Sequence, residues 1–368
     1  MTLSSREVSV NHPELSWPTT PSPTEQVDGQ RDDQHRGRTR VWPVVCVFAT
    51  VRNEEKYLEA ALDSVLSQQY PGQMRFVVSV GPSHDNTYGI AVECARRDPR
   101  LHVIENPQGL IPHGLNIAIN AAPADTDIFV RFDGHTRLPG GYVHAMVDAL
   151  LRTGADNVGG RMLPVGQAPL EQAIAFAMSH PLGIGGASFH VGGIEGPEET
   201  AYLGSFRKEA VIAAGLYDES FHRAEDWELN YRIRRNGGLV WFVPSIEVEY
   251  RPRSTWRALA KQFFDTGGWR RQVIAADRST ASLRYLAAPT AVVANTAGLL
   301  ATVLGVITPW TWLTLGAIAP LGYLALVTIG GLTAARHLPW AARSRVPGVL
   351  TTMHMMWGLG FLKGTPTN

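Results

Sequence analysis

The stretch Phe129-Val130-Arg131-Phe132-Asp133-Gly134-His135 is a β-favouring apolar run that opens onto a carboxylate and an imidazole two residues apart. At the C-terminal end of a strand, Asp133 and His135 can converge on one divalent cation, since both side chains are metal ligands. Taken alone, the pair also reads as a polar turn after an edge strand. Its neighbours change the weight of the two readings.

Upstream, strand and helix patterns alternate. Val44 to Thr50 is a continuous β-rich run, and Glu55 to Gln69 places Leu58, Ala61, Leu62, Val65 and Leu66 on one helical face. Phe76 to Val80 reads as a second strand, Thr87 to Arg97 as a second helix, and Leu101 to Glu105, Gly114 to Ala122 and Ile128 to Phe132 continue the series. This alternation implies an α/β domain with a mainly parallel sheet and helices on both faces, in which ligands bind beyond the carboxyl ends of the strands. Polar clusters fall at those ends: Thr50-Val51-Arg52-Asn53-Glu54-Glu55, Gly81-Pro82-Ser83-His84-Asp85-Asn86-Thr87, Asn106-Pro107-Gln108-Gly109 and Asp133-Gly134-His135. Asn53 and Asp85 are also ordinary helix caps. Clusters gathered at one sheet edge are better explained by a ligand crevice.

The chain of 368 residues has material for one large domain and something smaller, and its 33 basic and 33 acidic residues balance. Charge therefore gives no argument for a nucleic-acid partner. Cys46 and Cys94 lie in separate elements without metal-binding spacing, which argues for a reducing compartment and against a disulfide framework.

Three regions emerge. Residues 1–40 carry Pro13, Pro18, Pro21 and Pro23, then a mixed-charge run from Asp28 to Arg40, a composition expected of a disordered tail without a secretory signal. Residues 41–280 hold the α/β domain. In residues 281–368, no Asp, Glu, Lys or Arg occurs between Arg284 and Arg336, enough for two spans of roughly 20 residues, at about 287–307 and 312–333 with Thr308-Pro309-Trp310 as the turn. The run from Val346 to Leu362 reads either as a third span or as a re-entrant or interfacial helix. Arg270, Arg271, Arg278 and Arg284 precede the first span and Arg336, Arg343 and Arg345 follow the second, so the positive-inside rule puts the large domain in the cytoplasm, at the inner or plasma membrane.

Together with Gly114-Leu115-Asn116, Gly204-Ser205-Phe206-Arg207 and Glu225-Asp226-Trp227-Glu228-Leu229, these clusters resemble the family 2 glycosyltransferases of the GT-A fold over residues 41–275. With the C-terminal apolar pair, the chain is similar to the membrane-attached branch that contains bacterial exopolysaccharide transferases of the succinoglycan type. The resemblance implies that Thr50, Asn53, Glu54, Asp85, Asn116, Arg131 and Asp133 surround the nucleotide of a sugar-nucleotide donor. It implies that Asp133 and His135 hold a divalent metal, Mn²⁺ or Mg²⁺, and that Asp226 is the catalytic base. Gln262 and Trp269-Arg270-Arg271 match the Gln-x-x-Arg-Trp motif of processive members only loosely. Two departures stand out. His135 replaces the second carboxylate of Asp-x-Asp, and imidazole suits Mn²⁺ better than Mg²⁺. Val80 replaces an acidic residue that helps recognise the base, so the nucleotide is unassigned.

Transfer from a nucleoside diphosphate sugar makes the anomeric carbon cationic and the leaving oxygen anionic. A metal neutralises the diphosphate, and a base takes the acceptor proton. One base without a nucleophile opposite it suggests single displacement with inversion. Asp226 also suits the N-terminus of a helix running to Asn236, where the macrodipole favours acid. The expectation is thus a membrane-anchored, metal-dependent, inverting glycosyltransferase acting on a lipid-linked or glycan acceptor in polysaccharide or cell-envelope glycan synthesis. The alternative is a catalytically inactive relative that serves as a membrane scaffold or sugar-nucleotide binder.

Overall fold

The computed structural model describes residues 41–221 and 224–364. The tail expected over residues 1–40 lies outside the described residues.

Strands β1 (Val45–Val51), β2 (Met74–Val80), β3 (Leu101–Glu105) and β4 (Ile128–Arg131) alternate with helices α1 (Leu58–Leu66), α2 (Thr87–Arg97) and α3 (Ile111–Asn120). They pair in parallel in the order β3-β2-β1-β4, with Val45 opposite both Met74 and Ile128. Strand alternation sorts the apolar side chains into two cores. Val45, Val47, Ala49 and Val51 face one side with Leu58 and Leu62 of α1, while Cys46 and Phe48 face the other with Leu115 and Ala118 of α3. Burial on both faces is why these strands read as unbroken apolar runs. Parallel pairing then brings the carboxyl ends of all four to one edge, together with the polar segments that follow them.

The second half of the domain comprises β5 (Thr136–Arg137), α4 (Tyr142–Thr153), β6 (Asn157–Pro164), α5 (Pro169–Met178), α6 (Pro181–Ile184), α7 (Ser188–Val191), β7 (Gly196–Pro197), β8 (Tyr202–Arg207), α8 (Lys208–Ala213), α9 (Glu225–Arg235) and β9 (Val240–Tyr250). Here the sheet becomes mixed. β8 lies between β4 and β6 and is antiparallel to both, with Phe206 opposite Phe129, whereas β6 and β9 are parallel. The glycine-rich stretch Pro181–Thr200 contains α6, α7 and β7. Gly159 and Gly160 mark the place where β6 slips register against both neighbours. A Cβ on Gly160 would lie 2.3 Å from the Ile246 carbonyl oxygen, so close strand approach accounts for this pair.

The chain continues through α10 (Trp256–Ala276), a 3-10 turn (Leu283–Leu286), α11 (Ala287–Ile307), a 3-10 stretch (Thr311–Ala317), α12 (Ile318–Ala325), a π turn (Leu326–Gly330), α13 (Gly331–Ala334), α14 (Trp340–Arg343) and α15 (Val346–Lys363). The helical stretches Leu283–Ile307 and Thr311–Ala334 are long and apolar enough to cross a membrane, and only 17% and 11% of their apolar windows are buried. Leu300, Val306, Leu321 and Ile329 are accordingly exposed. α15 differs, since Val346, Val349, Leu350 and Met353 are buried in the main core. It crosses α10 at two glycines. A Cβ on Gly267 would lie 2.0 Å from the Trp357 carbonyl oxygen, and one on Gly360 would lie 1.9 Å from that of Phe264.

Backbones this close admit no side chain, which is the small-residue mode of helix packing. Gly360→Ala should therefore lower the thermal midpoint in detergent and destabilise by about 1–3 kcal/mol, the usual cost of overpacking. Gly322→Ala, with open space around its Cβ, should be silent or slightly stabilising. Equal midpoints for the two variants would mean that the α10–α15 crossing does not hold the C-terminal region in place.

Candidate active site

The loops after the first three strands are tied to one another. Arg52 Nε donates to the Pro82 carbonyl at 3.0 Å, and Asn53, at φ +56°, receives the His84 N–H on Oδ1 at 2.9 Å. Asparagine tolerates this left-handed conformation better than most residues. Asp85 accepts from Glu55 N at 3.1 Å and from Thr87 N and Oγ1 at 3.1 and 2.5 Å. Those bonds, that of the Thr87 hydroxyl first, hold its carboxyl below the usual range. Thr50 Oγ1 is 3.4 Å from Asn106 Nδ2. Thr50, Asn53 and Asp85 thus share one edge, where Asn53 and Asp85 bridge loops as well as flanking helix starts.

Asn116 stands apart from this group. Its amide donates to Tyr217 O at 2.9 Å and Glu219 Oε1 at 3.0 Å and accepts from Tyr217 N at 2.9 Å, so it pins the segment ahead of α9.

The centre of the site is Arg131, the last residue of β4 and only 5% exposed. Nε and Nη2 reach Asp133 Oδ1 at 3.3 and 3.2 Å, Nη2 reaches Glu225 Oε1 at 3.3 Å, and Nη1 donates to Asp226 Oδ1. Burial works against the guanidinium, but the carboxylates outweigh it and hold its pKa well above the ordinary value. Asp226 feels the opposite balance. Burial above all, with the charges of Glu225 and Asp133, outweighs the pull of Arg131 and raises its carboxyl to about 7. Its side chain keeps 30% exposure, so it is open to a substrate. Glu228, by contrast, is occupied by Arg232 at 2.5 Å, and Arg232 also donates to the Ala214 carbonyl. The sequence pattern shows an acidic helix start here. It does not show that Glu225 and Asp226 meet Arg131, because the contact joins residues 94 and 95 positions apart.

His135 Nδ1 lies 2.8 Å from Glu54 Oε1. Burial lowers the imidazole pKa, but the Glu54 hydrogen bond and the Asp133 charge outweigh it, so the net shift is upward. A Cβ on Gly134 would come within 2.9 Å of Val51 Cγ1 and 3.0 Å of Glu54 Cγ, which is why glycine separates the two ligand-type residues. The described residues include no group of three or more His, Cys, Asp or Glu able to hold a metal. Asp133 and His135 supply two donors, and the Glu54–His135 contact is the carboxylate–imidazole pairing that orients metal-ligating histidines. This donor set fits a cation whose remaining positions are filled by a substrate diphosphate and water. Gln262 pairs with Arg253 at 3.3 Å, and Arg271 donates to carbonyls at the end of α15.

The model for "Glycosyl transferase family 2" matches residues 46–213. The chain is 30% identical over 312 residues to succinoglycan biosynthesis protein ExoA of Rhizobium meliloti (strain 1021), covering 84% of this chain and 91% of that one. It is 22% identical over 232 residues to a dolichyl N-acetyl-α-D-glucosaminyl phosphate 3-β-D-2,3-diacetamido-2,3-dideoxy-β-D-glucuronosyltransferase of Methanococcus voltae, covering 61% and 71%. Among solved structures, the mannosyltransferase PcManGT from Pyrobaculum calidifontis, in complex with GDP-Man and Mn²⁺, aligns with a TM-score of 0.54 over 88% of this chain and 87% of that one, at 18% identity. That likeness concerns the fold alone, a GT-A-like α/β architecture. The family match runs from β1 to α8 and takes in Arg131, Asp133 and His135, and with the ExoA identity it shows that the chain belongs to glycosyl transferase family 2.

Proposed function

We propose that this glycosyltransferase moves a sugar from a nucleoside diphosphate donor to a lipid-linked or glycan acceptor at the cytoplasmic face of a membrane, by single displacement with inversion, in polysaccharide or cell-envelope glycan synthesis. The observation that carries the reading is Asp226, a partly exposed carboxyl with its pKa raised to about 7 at the edge where the parallel strands end. A base works best with a pKa near the operating pH. The names of the ExoA and dolichyl phosphate-linked relatives support a glycan or lipid-linked acceptor.

Asp226 takes the proton of the acceptor hydroxyl as that oxygen attacks the anomeric carbon. Arg131 fixes the carboxylate's position from the sheet side, and Asp133 and the loops at Thr50, Asn53 and Asp85 face the donor. Asp133 and His135 would hold Mn²⁺ or Mg²⁺, with Glu54 behind His135. When bound, such a cation neutralises charge on the diphosphate leaving group. Mn²⁺ in the PcManGT complex supports that assignment. Membrane attachment is supported by the exposed apolar helices Leu283–Ile307 and Thr311–Ala334, and sidedness by the arginines that flank them.

The base is tested with purified full-length protein and one accepted donor found from a panel of sugar nucleotides. Wild-type kcat/KM should rise with pH, because Asp226 must be ionised to act, and level off above about 7. Asp226→Asn should lower kcat by on the order of 10² or more and abolish that acid limb, with the thermal midpoint hardly moved. Retention of more than about a tenth of wild-type turnover would remove Asp226 from the mechanism.

For the metal, titration calorimetry with Mn²⁺ and the donor should show losses for Asp133→Ala and His135→Ala. Glu54→Gln should weaken Mn²⁺ about 10- to 100-fold through His135 orientation. Unchanged Mn²⁺ dependence in His135→Ala would refute the Asp-x-His site. Sidedness is tested by single cysteines, given that Cys46 and Cys94 are buried. Trp310→Cys, at the exposed hairpin turn, should react with an impermeant thiol reagent on intact cells, and Gly140→Cys should react only after lysis. The reverse pattern would invert the topology.

A further inference from the structure

Trp227 Nε1 and Arg270 Nη1 are both buried, and neither has a hydrogen-bond partner among the described residues. Both groups only donate, and a buried donor without an acceptor is destabilising. The two residues meet. The Arg270 guanidinium carbon lies 4.8 Å from the centroid of the Trp227 ring and 4.4 Å from that of Tyr285. Tyr231 stacks against Trp227 at 5.5 Å, while Arg284 lies over Tyr285 at 4.9 Å and is paired with Glu199 at 2.9 Å. Trp227 is 8% exposed, Arg270 and Tyr285 are half-buried, and Arg284 is exposed, so the stack is closed at Trp227 and open at Arg284.

A cation–π staple between helices would explain the stacking but not the two idle donors. Arg131 and Arg270 make the contrast plain. Arg131 is surrounded by carboxylates that raise its pKa, whereas burial lowers that of Arg270, whose faces are covered by aromatic rings. Glu199, the acid whose charge acts on Arg270, is already engaged by Arg284, and Asp277 is engaged by the Tyr231 hydroxyl. What Trp227 Nε1 and Arg270 Nη1 lack, among the described residues, is an acceptor.

Its location narrows the class of anion. Trp227 follows Asp226 directly in α9, so the two Cα atoms are about 3.8 Å apart. Tyr285 and Arg284 belong to the turn Leu283–Leu286, at the start of the first apolar helix. The cluster therefore connects the helix turn that carries Asp226 to the start of the first apolar stretch. We propose that Arg270 and Trp227 Nε1 bind the phosphate or diphosphate of a lipid-linked acceptor, with Arg270 as the positioning cation. The assignment rests on the transfer reaction proposed above and selects the lipid-linked acceptor over a free glycan. A sugar attached to a phosphate held here presents its hydroxyls to Asp226, and its lipid runs along the apolar helices.

The test uses the full-length chain in detergent micelles, with farnesyl diphosphate as probe and inorganic pyrophosphate and phosphatidylglycerol as competitors. Wild type should bind farnesyl diphosphate at least tenfold more tightly than either competitor. Arg270→Gln should weaken it tenfold or more, Arg270→Lys should recover part of the loss, and Trp227→Phe, which keeps the ring and removes the N–H, should weaken it several-fold. If Arg270→Gln fails to fold, Trp227→Phe carries the test. Wild-type affinity in the Trp227→Phe and the folded Arg270 variants would overturn the site and leave a structural staple. Equal competition by pyrophosphate would make it a soluble-phosphate site, and equal competition by phosphatidylglycerol a bulk-lipid contact; either result also overturns the proposal. Donor binding and turnover are measured in the same wild-type samples. Donor turnover beside unaltered probe binding in the variants defeats the acceptor site alone, while absence of turnover with every sugar nucleotide defeats the transfer reaction on which it rests.

Discussion

The charge balance around Arg131 constrains the rest of the site. One buried guanidinium serves three carboxylates, those of Asp133, Glu225 and Asp226. Two ionised carboxylates in excess are unfavourable where water is scarce, and such a cluster relieves the repulsion by holding a proton or recruiting another cation. The raised pKa of Asp226 expresses the first route, and the donor set of Asp133 and His135 is suited to the second. The same excess of negative charge thus underlies both the raised pKa of Asp226 and the fit of the Asp133 and His135 donors to a cation.

Position follows from the backbone. Arg131 pairs in register with Phe48 of β1, so the parallel ladder sets its Cα, and its burial restricts the side chain. Asp133 and His135 follow on a turn closed by Thr136, whose hydroxyl donates to the Asp133 carbonyl at 2.8 Å and accepts from Asp133 N at 3.3 Å. On the other side, Ala224 at φ +62° bends the chain into α9. A left-handed alanine costs about 1–2 kcal/mol. Backbone strain of this kind persists where surrounding contacts fix it, as the Arg131 ion pairs do here.

Local pattern carried much of the fold. α2 and β3 occupy the spans that periodicity assigns to them, and β1 to β4 were legible because strands buried on both faces leave apolar runs bounded by polar turns. β8 was harder, since its antiparallel place between β4 and β6 depends on pairing with distant segments rather than on its own six residues. The C-terminal helices make the same point about hydropathy. α15 resembles a span in composition, yet it is buried against α10 through a glycine crossing that only the partner's backbone explains. In the site, the residue types and the shared sheet edge were readable. The contacts Glu54–His135 and Arg131–Asp226, separated by 81 and 95 positions, were not, because sequence spacing says nothing about which loop meets which.

α9 joins the sheet edge around Arg131 to the helices that follow the sheet. Consecutive residues on a helix point about 100° apart. Asp226 accordingly meets Arg131 at the sheet edge, while Trp227 turns to Arg270 of α10. Two further turns of contacts, Asn230 with Asn157 of β6 and Arg232 with the carbonyl of Ala214, tie the helix to the sheet and to the end of α8. A helix held at both its first turn and its middle cannot slide without breaking buried polar contacts. The Asp226 carboxyl at the sheet edge and the Trp227 ring against Arg270 are therefore fixed by one rigid element, so a single turn of α9 couples the edge where the parallel strands end to the helices that lead into the apolar stretches.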